Sequence, residues 1–233
     1  MFKKVTIPTM AVFCLSVVMT ACASDTAQKG STITTNTTTK TATTPAKAET
    51  GTMTDSLADK RHAIRTPKNN LVTLETNFGS MTVELYRDLA PNHADSFLAR
   101  TLDGFYDSTI FHRIMPNFMI QGGDPLGNGT GGAGYNLNAE FSQEPHLEGT
   151  LSAARSSDPN SASSQFYICL TSTPFLDGKY TVFGHLIKGY DVLHKIEKVE
   201  TVVGNGGEKS KPVEKVMIIR AYASDAEGEP VKK

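Results

Sequence analysis

The chain has 233 residues, 39% hydrophobic and 20% charged, which is the balance of a globular protein long enough for one ordinary domain plus extra segments. Charge is uneven: residues 23–70 carry 7 Lys and Arg against 4 Asp and Glu, a balance of +3, whereas residues 71–233 carry 14 against 20, a balance of −6. An acidic domain repels phosphate backbones, so no nucleic acid is expected as a partner.

Met1-Phe2-Lys3-Lys4 is a short basic stretch, and Ile7 to Met19 is mostly apolar. About 13 residues at ~1.5 Å rise span roughly 20 Å, short of the ~30 Å hydrocarbon core, so this is the apolar region of a secretory signal and not a lasting membrane helix. It ends Met19-Thr20-Ala21-Cys22, small residues directly before a cysteine. That ending resembles a bacterial lipoprotein box, which makes residues 1–22 a signal peptide ending at a lipidated Cys22; ordinary cleavage near Ala21 is the alternative. Of the three cysteines, Cys14 and Cys22 belong to this segment, and Cys169 alone cannot form an internal disulfide.

Residues 23–66 read as a disordered linker: nine of the 14 residues from Ser31 to Thr44 are Thr, with almost nothing apolar to offset ordering entropy. From Leu71 the pattern changes. Leu71–Thr76 and Met81–Leu85 alternate around Asn77-Phe78-Gly79-Ser80, which predicts a β-hairpin. Pro91 opens a helix whose buried stripe is Ala94, Phe97, Leu98 and Leu102. Strands are expected at 109–115, 118–121, 151–154, 165–170, 181–187 and 215–222, with a second helix at 189–198 that buries Val192, Leu193 and Ile196. The fold class is mainly β, an antiparallel barrel or sandwich with two helices. Residues 67–226 form the domain and 227–233 a flexible tail.

Three stretches carry chemistry. The first runs Thr109-Ile110-Phe111-His112-Arg113-Ile114 through Phe118-Met119-Ile120-Gln121-Gly122-Gly123-Asp124. The second is Leu151-Ser152-Ala153-Ala154-Arg155, followed by Gln165-Phe166-Tyr167-Ile168-Cys169. The third is Phe175-Leu176-Asp177-Gly178-Lys179-Tyr180-Thr181-Val182-Phe183-Gly184. In order and spacing they resemble the signature of the cyclophilin-type peptidyl-prolyl cis/trans isomerases, over about Leu71 to Tyr222. The resemblance implies a closed eight-stranded antiparallel barrel capped by two helices, and a surface groove that binds proline-containing polypeptides. It makes Arg113 catalytic and places Phe118, Met119, Gln121, Ala154, Arg155, Gln165, Tyr167, Phe175, Leu176 and Tyr180 along the groove. It implies no cofactor, no metal and a monomer.

Elementary chemistry asks for the same constellation. Amide resonance sets a barrier of ~18–20 kcal/mol, and X-Pro bonds turn over in tens to hundreds of seconds unaided. Reaching milliseconds takes a factor of roughly 10⁵, about 7 kcal/mol, with no bond made or broken. In the twisted transition state the nitrogen lone pair becomes an acceptor, and a fixed guanidinium beside it favours that form over the planar one. This requires an open cleft next to Arg113 and not a buried ion pair. A binding module using the groove without the chemistry is the alternative.

Other features read differently. Gly127 to Gly132 formally matches a dinucleotide fingerprint but lacks the strand–helix context, so it is a loop. His112 is expected to be a packed structural residue. Phe175, Tyr180 and Arg155 stand where many eukaryotic members carry Trp, His and Asn. These substitutions resemble the family's bacterial branch, predict weak cyclosporin inhibition, and give Arg155 a long cation able to reach into the groove. With the signal and linker, the expected site of action is the bacterial envelope. The anchor is placed at the periplasmic face of the outer membrane, with the inner membrane as the alternative, and the clients are exported proteins.

Overall fold

The structure, a computed structural model, describes residues 70–204 and 207–231; the expected signal peptide with Cys22, and the expected linker, lie outside the described residues. Strands β1 (Leu71–Thr76) and β2 (Gly79–Leu85) form the hairpin the alternation predicts, with Thr76 opposite Gly79 across the turn. Gly79 sits at φ +128°, and a Cβ there would lie 2.7 Å from Val192 Cγ2, so only glycine lets the second helix close on this turn. Helix α1 (Pro91–Leu102) begins at Pro91, whose missing N–H costs nothing in a first turn. It buries Ala94, Phe97 and Thr101 and half-buries Leu98, while Leu102 is 48% exposed. At about 100° per residue, Leu102 lies one step past the face that Thr101 closes.

The remaining elements are β3 (Arg113–Met115), β4 (Met119–Gly122), β5 (Thr150–Ala153), β6 (Phe166–Cys169), β7 (Val182–Lys188), α2 (Tyr190–Glu197), β8 (Thr201–Val203), β9 (Lys209–Pro212) and β10 (Ile218–Ser224). Eight strands form one antiparallel sheet in the order β10-β1-β2-β7-β5-β6-β4-β3. Helix α2 buries Val192, Leu193 and Ile196, the face its spacing predicts.

The expected closed barrel is not formed: the sheet is a curled, open half-barrel whose edge strands β3 and β10 share no ladder. Pro116 ends β3 after three residues, because proline cannot donate to a ladder. The seam is held by the chain just before β3. There Ile110 bridges Met217, the Phe111 N–H donates to the Val216 carbonyl at 2.9 Å, and the Ile218 N–H donates to Thr109 at 2.9 Å.

Inside the curl, Phe166 meets Phe97, Tyr106 and Phe111 edge-on at centroid distances of 5.3, 5.7 and 6.0 Å, the geometry aromatic quadrupoles favour. A smaller cluster of Met119, Tyr167, Cys169 and Leu176 lies on the opposite face of β4 and β6. Both faces of these strands are therefore covered, which explains their near-continuous buried run. The expected tail also has a place. Residues 225–231 turn back so that the Val231 N–H reaches Ala223 at 3.0 Å, and Gly228 covers the buried hydroxyls of Thr73 and Thr82. The two-stranded ribbon β8–β9 was not foreseen from the sequence.

Candidate active site

Strand register builds the site. On the outer face of the sheet Arg113 stands opposite Gln121, Gln121 opposite Tyr167, and Tyr167 opposite Ser152. The next row pairs Met115 with Met119 and Met119 with Cys169. Because side chains alternate with period two, one row aligns the polar groups and the other lays down a methionine–thiol floor. The Cys169 thiol is pushed up to about 11 by burial, so it behaves as an apolar floor atom.

Two cavities open along this face. A slot of about 110 Å³ is lined by Arg113, Phe118, Met119, Gln121, Ala154, Arg155, Tyr167, Leu176 and Tyr180. A larger, more polar cavity of about 550 Å³ adjoins it through Gln121, Ala154 and Arg155 and also takes in Gln165. Phe175 lines neither. It is 60% exposed on the 3-10 turn Pro174–Leu176, with its ring 5.7 Å from that of Phe118 at the slot's rim. His112 stays outside both cavities, half-buried near Gly129, and burial lowers its pKa.

Several of the lining residues are held from behind. Phe118 follows a turn with Pro116 at its second position and Asn117 at φ +60°, closed by the Phe118 N–H on Met115 O at 3.0 Å, which is the type II pattern. The Asn117 N–H donates to Glu197 Oε1 at 2.8 Å, and Glu197 in turn meets His194, which also pairs with Glu148. Hydrogen bonding to Glu197 raises the His194 pKa, against the effect of burial, and Glu148 adds to the rise. A His with a raised folded pKa contributes stability that is fully present below its unfolded value and is lost as pH rises through the folded value. The stability gap between wild type and His194→Ala is therefore expected to be widest at about pH 6 and to narrow toward about pH 9. Melting curves at the two pH values check this, and a constant gap would contradict it.

Under the slot, Tyr167 is steered by the buried His146 and its half-exposed partner Asp177. Asp177 Oδ1 accepts both the N–H and the Nδ1–H of His146, at 2.8 and 2.9 Å, which leaves Nε2 to accept the Tyr167 hydroxyl at 3.1 Å. Burial lowers the His146 pKa and raises that of Tyr167, so both stay neutral and the ring keeps one orientation. Arg155 does not reach into the groove as its length allows. Its Nη atoms donate to the carbonyls of Ser156, Ser157 and Lys179 at 2.8, 3.3 and 2.9 Å, and its guanidinium lies 4.5 Å from the Tyr180 ring centroid. It straps two loops together and forms the wall between the cavities.

The Gly-rich loop wraps a carboxylate of its own chain. Asp124 is fully buried and accepts the N–H groups of Leu126, Asn128 and Gly129 at 2.8, 3.0 and 2.6 Å. Burial works to raise its pKa, but these donors and the Gly131 N–H outweigh it and hold the carboxyl below its ordinary range. The wrapped loop turns the carbonyls of Gly129 and Gly131 toward Gln165 Nε2, at 3.0 and 2.8 Å. Gln165 Oε1 accepts from Gln121 Nε2 at 2.9 Å, and Gln121 Oε1 accepts from Arg113 Nη1 at 3.2 Å. The row ends at a residue that sequence reasoning missed. Glu208 accepts from Arg113 Nε at 2.8 Å and from Nη2 at 3.1 Å. The two side chains are 33% and 38% exposed, so the pair lies at the surface with the slot open beside it.

The family model described as cyclophilin type peptidyl-prolyl cis-trans isomerase/CLD matches residues 71–223. The protein named peptidyl-prolyl cis-trans isomerase-like 1 of Gibberella zeae is 41% identical over 161 residues, covering 67% of this chain and 96% of the relative. Peptidyl-prolyl cis-trans isomerase cypE of Dictyostelium discoideum is 41% identical over 157 residues, 66% of this chain and 97% of the relative. A relative from Brucella suis is 44% identical over 141 residues, 55% of this chain and 72% of its own. Among solved structures, a Cryptosporidium parvum cyclophilin type isomerase determined in the presence of the dipeptide Ala-Pro superposes with a TM-score of 0.62 at 34% identity, covering 66% of this chain and 99% of that one. By motif, fold and kinship the chain belongs to the cyclophilin family, and it is a peptidyl-prolyl cis-trans isomerase.

Proposed function

We propose that Arg113 is the catalytic residue and that the slot formed by Phe118, Met119, Tyr167, Leu176 and Tyr180 takes the proline ring of an X-Pro segment. The observation that carries this reading is a guanidinium in the wall of an open apolar slot with part of its donor set uncommitted to oxygen. Beyond Glu208 and Gln121, Nη2 faces Met115 Sδ at 3.0 Å and Nη1 faces Met119 Sδ at 4.0 Å. Thioether sulfur is a weak acceptor. The amide nitrogen of a twisted X-Pro bond is a better one, and the planar ground state lacks that lone pair, so the contact is gained only in the transition state. The apolar floor holds the ring and keeps water from the planar amide. The peptide continues into the larger cavity past Gln121, Gln165, Ala154 and Arg155, with Phe175 at the rim.

The N-terminal reading completes the proposal. Cys22 carries the lipid, residues 23–66 act as a leash, and the isomerase works as a monomer on exported proteins at the periplasmic face of the outer membrane, or of the inner one. The Brucella suis relative and the residues Phe175, Tyr180 and Arg155 support a place in the bacterial branch. Mass spectrometry of the mature protein's N-terminal peptide is expected to find an acylated Cys22, and Cys22→Ser is expected to shift the protein from membrane to soluble fractions. A mature chain starting after Ala21 with a free thiol would contradict the anchor.

A further inference from the structure

We propose that Glu208 is a positioning residue: it fixes the Arg113 guanidinium so that Nη1 points into the slot, and isomerase turnover depends on it. The inference rests on the reading of Arg113 as the catalytic group. Three observations carry it.

The first is the geometry of the pair. Glu208 grips the Nε/Nη2 edge side-on, with contacts of 2.8 and 3.1 Å, and leaves Nη1 without a carboxylate. Side-on, two-point pairing fixes the plane of the fork as well as its place. A carboxylate acting as a brake would have to occupy Nη1, the nitrogen that neighbours the slot residues Gln121 and Met119. The second observation is that the opposite side of the fork is already built. The row from the Gly129 and Gly131 carbonyls through Gln165 and Gln121 reaches Nη1, so Glu208 supplies the second of two clamps.

The third is the ribbon that delivers Glu208. Gly207, at φ +76°, supplies a left-handed residue just before Glu208, and the Gly204 N–H donates to the Glu208 carbonyl at 2.9 Å. Outside this role the ion pair has little to do. Exposed by a third or more on each side, it belongs to a class that contributes little to folding. An arginine side chain, by contrast, has much rotamer freedom to lose, and a reaction that uses one N–H of it gains from having that freedom already removed.

The test uses the full chain with an Ala-Pro-containing peptide followed by exchange NMR. Glu208→Ala is expected to lower kcat about 10-fold, equivalent to ~1.4 kcal/mol, while KM and Tm stay close to wild type. Glu208→Gln, which keeps one acceptor oxygen, should fall between the two. In an Arg113→Ala background, Glu208→Ala should cost nothing further. The Arg113 Nε–H resonance, protected in wild type, should broaden by exchange with water in Glu208→Ala. Activity of Glu208→Ala at or above wild type, the same loss in both backgrounds, or an unchanged Nε–H resonance would each overturn the proposal. If Arg113→Ala itself matches wild type, the Arg113 reading has failed, and the Nε–H resonance still decides whether Glu208 holds the fork.

Discussion

Replacing Arg113 by alanine is expected to lower kcat/KM on an X-Pro peptide by about 100-fold or more, a loss of ~2.7 kcal/mol of transition-state stabilisation, and to leave Tm nearly unchanged. The two halves of this expectation have separate causes. Turnover falls because the roughly 7 kcal/mol the reaction needs is divided between the slot and the guanidinium, and only the guanidinium answers the nitrogen lone pair that appears on twisting. Stability holds because Arg113 is one-third exposed and its ion partner, Glu208, is exposed enough to be rehydrated once alone. Gln121 keeps its bond to Gln165 and loses only one contact. Arg113→Lys should recover little, since an ammonium cannot span Glu208 and Gln121 at once while facing the slot. Parallel measurement of kcat/KM and thermal unfolding checks both halves, and a large fall in Tm would mean that the arginine is structural.

The second large effect belongs to Asp124, which never touches the slot. Asp124→Ala is expected to destabilise the domain by about 3 kcal/mol and to lower activity with it. Hydrogen bonds to a charged group are worth ~1.5–3 kcal/mol each, and a buried donor left alone costs ~1–3 kcal/mol. The loop can relax toward water, so the several donors do not sum. Asp124→Asn keeps the shape but turns an NH₂ toward backbone N–H groups, and should lose nearly as much. Gly131→Ala attacks the same nest from outside, since its Cβ would stand 2.0 Å from Asp124 Oδ1. Activity follows because the wrapped loop aims the carbonyls that hold Gln165, and through it Gln121 and Arg113. Because the Asp124 carboxyl is held below its ordinary range, its contribution is present above the unfolded carboxylate pKa and is lost only as pH falls through the folded value. Urea unfolding at neutral pH therefore reads the full effect.

Much of this was visible in the residues alone. The alternation around Asn77 and Phe78 marks the first hairpin, the spacing of Val192, Leu193 and Ile196 marks α2, and of the residues expected along the groove Arg113, Met119, Gln121 and Tyr167 fall on one face of β3, β4 and β6, while Phe175 lines neither cavity. What the sequence hid is long-range or two-sided. Glu208 lies 95 residues from Arg113, on a ribbon rich in glycine and lysine with no clean alternation, so nothing local signals that it faces the slot. Arg155 looked like a cation free to enter the groove, but loop carbonyls within reach of its guanidinium claim it first. Pro116 ends β3 after three residues, and that this strand forms an edge of the sheet is visible only once the strand order is known. The glycine run was legible as a loop, but not the Asp124 carboxylate it wraps, which calls for the same small residues as the dinucleotide fingerprint it formally matches.

The central claim is that Arg113 recognises the twisted peptide and not the planar one. The most direct test measures peptide affinity and exchange rate on the same samples, wild type beside Arg113→Ala, by titration and by magnetisation exchange across the prolyl bond. The account predicts a dissociation constant within about two-fold of wild type and an exchange rate that collapses. Affinity and rate falling together, or exchange that persists without the guanidinium, would contradict it.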